Sequence, residues 1–193
     1  GASLIRAARG LTPDLRFIGV AGSRMVEAGC ESIYDMTPHA AMLLGALGNT
    51  GRAIRMLGAC DRYMRNYPID AVVVIDSPML HLPLAAKAHA LNIPVLYYIA
   101  PQMWAWGAYR IHKLRSNVDK LACILPFEEK YFRDQGIDAT FVGHPLAEQF
   151  AETTINPKAV ESLRSRGRPF LALLPGSRRH VVESVLAGQL EVL

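Results

Sequence analysis

Ala71-Val72-Val73-Val74-Ile75-Asp76-Ser77-Pro78 is the stretch on which the fold turns. Five apolar residues follow one another without alternation and run straight into a carboxylate, a serine and a proline. A strand that is apolar at every position is one covered on both faces, as in a parallel sheet packed between helices. Residues 95–99 and 121–125 repeat this pattern, residues 15–20 do so around Arg16, and shorter apolar runs stand at 139–142 and 170–174. Between them, segments near 52–66, 82–91, 107–117, 127–135 and 157–166 carry the helical period. Strand alternating with helix predicts an α/β fold, a Rossmann-like doubly wound parallel sheet.

The composition bounds the function. The chain has 193 residues, 51% of them hydrophobic and 20% charged, which excludes a disordered chain and supplies a buried core. No apolar run approaches the roughly 18 residues of a membrane-spanning helix. Lys and Arg number 21 against 17 Asp and Glu, a net charge of +4, too small by itself to mark a nucleic-acid binder. Cys30, Cys60 and Cys123 are odd in number and far apart, a pattern of reduced thiols rather than of a disulfide framework or a zinc site. His81, His89, His112 and His180 lack metal-ligand spacing, so no metal site is expected.

In an open parallel sheet, ligands bind outside the carboxyl ends of the strands. The residues that follow each strand here are Asp76-Ser77-Pro78, Ala100-Pro101-Gln102, Pro126-Phe127-Glu128 and Gly143-His144-Pro145. Asp76, Gln102, Glu128 and His144 are the polar groups expected to meet on that rim. Asp76 has two readings: an N-cap for the helix starting at Pro78, or a general base within reach of a substrate hydroxyl. Trp104 and Trp106 read either as packing or as part of the binding surface. In the helix that follows them, Ile111, Leu114 and Val118 make the apolar stripe, which leaves Arg110 and Lys113 outward.

Pro175-Gly176-Ser177-Arg178 joins the last apolar run to a helix. Gly176 permits a tight turn, Ser177 and the following amides suit an anion, and Arg178 offers a bidentate phosphate contact. The plain alternative is an ordinary turn with solvated arginines. Residues 40–48 are apolar with almost no polar face, and Arg52, Arg55, Arg62 and Arg65 follow. This is either a core helix or an interfacial patch, with Met42, Leu43, Leu44 and Leu47 among acyl chains and Arg52 and Arg55 at anionic headgroups.

Taken in order, these segments resemble the lipid-A-disaccharide synthase family. The matching motifs are Ile75-Asp76-Ser77-Pro78, Pro101-Gln102-Met103-Trp104-Ala105-Trp106, 125–128 (Leu-Pro-Phe-Glu), 142–145 (Val-Gly-His-Pro), 173–178 (Leu-Leu-Pro-Gly-Ser-Arg) and the opening 17–25 with Gly29-Cys30. The resemblance implies a GT-B glycosyltransferase of two Rossmann-like domains. It is similar to enzymes that move 2,3-diacylglucosamine from UDP to 2,3-diacylglucosamine 1-phosphate, inverting at the anomeric carbon and using no metal or cofactor. It implies Asp76 as catalytic base, with Gln102, Trp104, His144, Gly176, Ser177 and Arg178 binding substrate.

The same resemblance implies a peripheral protein on the cytoplasmic face of the inner membrane, and a homodimer when whole. Residues 1–150 correspond to the acceptor-side domain, 151–168 to a linker and 169–193 to the opening of the UDP-sugar domain. The family's opening strand with its Ala-Gly-Glu-x-Ser-Gly-Asp loop, and most of the UDP-sugar domain, lie outside this sequence. The chain by itself is therefore expected to be inactive. One departure stands at the site: Met79-Leu80-His81 replaces the family's Asp-Phe-Asn. The alternatives are another GT-B enzyme, a UDP-sugar epimerase or other lipid-linked glycosyltransferase, or a non-catalytic α/β module at a membrane surface.

Overall fold

The computed structural model describes residues 1–35, 46–167, 171–177 and 179–192. It divides into two compact units, Gly1–Glu148 and Gln149–Leu193. In the first unit, α1 (Ala2–Leu11), β1 (Phe17–Ala21), α2 (Ser23–Glu27) and β2 (Cys30–Asp35) come first. The long α3 (Ala46–Asn66) follows. The chain then repeats strand and helix: β3 (Val72–Ile75), α4 (Pro78–His89), β4 (Val95–Tyr98), a 3-10 turn (Ala108–Arg110), α5 (Ile111–Asn117), β5 (Lys120–Cys123), α6 (Pro126–Asp134) and β6 (Ala139–Phe141). Next come α7 (Pro145–Glu152), whose end crosses into the second unit, and then α8 (Pro157–Arg164) and α9 (Arg179–Glu191).

All paired strands are parallel, and helices flank them, as the apolar runs require. β3-β4-β5-β6 form one sheet in sequence order, and β1-β2 form a second. Each parallel pair needs a crossover, and α4, α5 and α6 supply three of them in turn. Their inner residues Leu82, Ala85, Ala88, Ile111, Leu114 and Phe132 meet Val74, Val95, Tyr97, Leu121, Cys123 and Ala139 of the strands in one core. Tyr97, Leu114, Phe132 and Cys123 are all fully buried there. A side chain of this size gains about 1.5–3 kcal/mol on burial. A smaller cluster of Ile5, Ala21 and Cys30 joins α1 to the β1-β2 sheet. Asp61 on α3 pairs with Arg65 at 3.4 Å and with Lys87 of α4 at 3.5 Å.

Several elements depart from expectation. α1, α2, β2 and α7 do not stand among the apolar runs or helical segments picked from the sequence. In the apolar run at 170–174, the described residues 171–174 are irregular, with Leu171 and Leu174 exposed. A strand exists only through the ladder of a neighbour, and no described residue pairs with this one. Among the described residues, no helix is long and apolar enough to cross a membrane.

Candidate functional site

β3 ends in an unusual backbone. Ile75 is the last ladder residue, and the Asp76 amide still donates to the Tyr98 carbonyl at 3.1 Å. The chain then turns through the left-handed region at Asp76 (φ 59°) and Ser77 (φ 26°). The end of β4 does the same at Ile99 (φ 67°), where a β-branched side chain makes this conformation costly. Left-handed residues of this kind cost on the order of 1–3 kcal/mol each and persist only when their surroundings fix them. Two hydrogen bonds do so at Asp76. The Tyr97 hydroxyl donates to the Asp76 carbonyl, and so does His81 Nδ1 at 3.0 Å. A carbonyl only accepts, so the His81 proton at this contact sits on Nδ1. Burial and the nearby Asp76 carboxylate raise the Tyr97 phenol well above its ordinary range, which keeps it a donor.

The Asp76 carboxylate is not spent as a cap. Ser77 holds the N-cap position of α4 and Pro78 follows it, with no side-chain capping bond. Among the described residues the Asp76 carboxylate carries no hydrogen bond. Asp76 is instead among the residues that line a cavity of about 100 Å³, with Gln102 and Arg110 as other polar residues and Pro78, Pro101 and Trp106 among the walls. The rim thus brings together Asp76 and Gln102, two of the residues singled out by their position after a strand. Arg110 and Trp106 join them. Arg110, outward by helical spacing, follows the left-handed turn at Gly107 (φ 89°) in the Ala108–Arg110 helix and is half-buried on the cavity.

The other candidates sit elsewhere. Trp104 does not line the cavity: its indole N–H donates to Glu128 Oε1 at 3.0 Å, and its ring meets Phe127 edge-on at 4.9 Å. Glu128 is buried, and its Oε2 accepts from the Ile124 and Leu125 amides at 3.1 and 3.0 Å. Three donors therefore satisfy this buried carboxylate without any cation. Burial and the neighbouring Glu128 and Glu129 push the Cys123 thiol up to about 12. His144 is exposed, and its Nδ1 accepts from the Leu146 amide at 3.1 Å at the start of α7.

In the second unit, Gly176 adopts φ 112° just before α9, and a Cβ there would stand 2.9 Å from Val181 Cγ1. Only glycine fits that turn. Ser177 beside it is exposed, and Arg178 lies outside the described residues. Met42, Leu43 and Leu44 lie outside them too, as do the side chains of Leu47 and Arg52. Arg55 is exposed on α3 beside the exposed Ile54, its Nε donating to the Gly51 carbonyl at 3.3 Å. No cluster of His, Cys, Asp or Glu suited to a metal is found among the described residues.

The arrangement offers a proton acceptor, an amide and a guanidinium around one small cavity at the strand ends. Comparison with known proteins adds to it. A family model described as lipid-A-disaccharide synthetase matches residues 1–191. The lipid-A-disaccharide synthase of Myxococcus xanthus (strain DK1622) is 35% identical over 192 residues, covering 98% of this chain and 50% of that protein. Its counterpart in Koribacter versatilis (strain Ellin345) is 36% identical over 193 residues, covering 96% and 50%. That of Syntrophotalea carbinolica is 37% identical over 203 residues, covering 100% and 51%. The chain spans about half the length of the curated relatives it matches.

Proposed function

The chain belongs to the lipid-A-disaccharide synthetase family, and from that membership we propose that the whole protein is an inverting glycosyltransferase. Its parallel sheets flanked by helices are the Rossmann-like, doubly wound arrangement of the GT-B class. The donor is UDP-2,3-diacylglucosamine and the acceptor 2,3-diacylglucosamine 1-phosphate. The acceptor 6-hydroxyl attacks the donor's anomeric carbon as the bond from that carbon to UDP breaks. The hydroxyl proton passes to Asp76, UDP leaves with the bonding pair, and a β-1,6-linked disaccharide remains.

One observation carries this reading. Asp76 lines a cavity at the strand ends, its carboxylate unused by any cap or ion pair among the described residues, on a backbone that two hydrogen bonds hold in a strained conformation. A general base needs such a rigid mount within hydrogen-bond reach of its proton. Gln102 binds the acceptor beside it, and Trp104 supports that segment through Glu128. His144, Gly176, Ser177 and Arg178 belong to the substrate surface of the whole protein. Residues 1–150 form its acceptor side, 151–168 a linker and 169–193 the opening of the UDP-sugar side. The enzyme works as a peripheral protein on the cytoplasmic face of the membrane.

The test is turnover of the two lipid substrates by the whole protein, followed as UDP and disaccharide released. Asp76→Asn keeps the shape and removes the base, and is expected to lower kcat by roughly 10²- to 10⁴-fold. An unchanged rate in the variant removes Asp76 from this role. A wild-type preference for soluble acceptors favours another GT-B activity.

A further inference from the structure

The cavity beside Asp76 contains a cation that the reaction as written does not use. Arg110 is half-buried, and its Nε–H is already committed, donating to the Tyr109 hydroxyl at 2.9 Å. The guanidinium also lies over the Tyr109 ring, with Cζ 5.1 Å from the centroid. These contacts hold the planar group and leave the Nη1 and Nη2 edge. Among the described residues no carboxylate pairs with Arg110, not even Asp76 on the same cavity. An unneutralised guanidinium with two parallel N–H donors matches an oxyanion, and phosphate best of all. A cavity that keeps a carboxylate and a guanidinium apart suits a ligand with a hydroxyl at one end and an anion at the other.

We propose that Arg110 binds the phosphate monoester of the same sugar whose hydroxyl faces Asp76, with Gln102 hydrogen-bonding to the sugar between them. The proposal rests on the function above and names the residue that selects a phosphorylated acceptor. The diphosphate of the UDP carrier has the same chemistry and is the competing source of the anion.

Steady-state kinetics of the whole protein separate the two. Arg110→Ala is expected to raise KM for 2,3-diacylglucosamine 1-phosphate roughly ten- to a hundredfold, the scale of a charge-assisted contact, and to leave KM for the UDP-sugar unchanged. Arg110→Lys recovers only part of the loss, because an ammonium keeps the charge without the fork. With wild type, an acceptor lacking its phosphate loses as much as the variant does; with Arg110→Ala, it loses nothing further. A rise confined to KM for the UDP-sugar assigns Arg110 to the carrier and overturns the proposal, as do unchanged values for both substrates. Should wild type form no disaccharide, the proposed function fails while Arg110 is still decided by titration with glucosamine 1-phosphate. Binding that Arg110→Ala abolishes upholds the anion site, and equal binding by both proteins overturns it.

Discussion

The Tyr97 hydroxyl and His81 Nδ1 converge on one atom, the Asp76 carbonyl, so the residue carrying the carboxylate is fixed through its backbone. His81 stands where the resemblance leads one to expect Asn, and the imidazole makes this contact with its protonated nitrogen. Tyr97 reaches the same oxygen from inside the core, where its ring is fully buried. Tyr97→Phe removes only the hydroxyl. A hydrogen bond of this kind contributes about 0.5–1.5 kcal/mol, so kcat is expected to fall up to about tenfold with KM for both substrates unchanged. Combined with Asp76→Asn, the same change has no further effect, because the aim of a carboxylate no longer matters. A fall of equal size in both backgrounds shows a merely structural hydroxyl. Asp76 was legible in the sequence because an apolar run ends on it. Arg110 was not, because an outward position on a helix does not by itself tell that a cavity lies beside it.

Among the elements, the segment between β4 and α5 owes its shape to a carboxylate on the next helix. Glu128 at the start of α6 takes the Ile124 and Leu125 amides with one oxygen and the Trp104 indole with the other. This is the reach-back of a capping-box glutamate, extended to a third donor from outside the helix. It ties the 101–107 segment, and with it Gln102 and Trp106 on the cavity, to the end of β5. Glu128→Gln puts an amide N–H₂ among groups that all donate, and one buried donor then loses its partner. Chemical denaturation is expected to show a loss of about 1–3 kcal/mol, together with a change in tryptophan fluorescence as Trp104 is released. Unaltered stability and emission would mean that the segment holds itself. The sequence made β3, β4, β5 and their helices readable because their runs are apolar throughout. β2 was missed because Glu31 and Ser32 interrupt it, and α1 because only Ile5 of its ten residues is buried. Residues 171–174 are irregular despite their apolar character, which alone does not provide a neighbouring strand.

For the whole molecule, the proposed function raises the question of how a protein with no described membrane-crossing helix would reach acyl chains. Residues 40–48 are apolar without a polar face, and α3 then presents Ile54 and Arg55 together on its exposed side, with Arg62 exposed two turns on. Met56 and Cys60 on the same helix are buried, so α3 already has its core face and the Ile54–Arg55 side remains for another surface. Exposed apolar and basic groups side by side suit the boundary between acyl chains and anionic headgroups. We therefore expect the whole protein to sediment with vesicles containing phosphatidylglycerol, and less well as salt is raised, since the arginine contribution is screened. Leu43→Ser with Leu44→Ser should weaken that binding about tenfold or more, on the scale of apolar side chains withdrawn from a lipid surface, while leaving the unfolding temperature unchanged. If instead the unfolding temperature falls and vesicle binding holds, the two leucines belong to the core, and the route to the lipid substrates runs elsewhere on the protein.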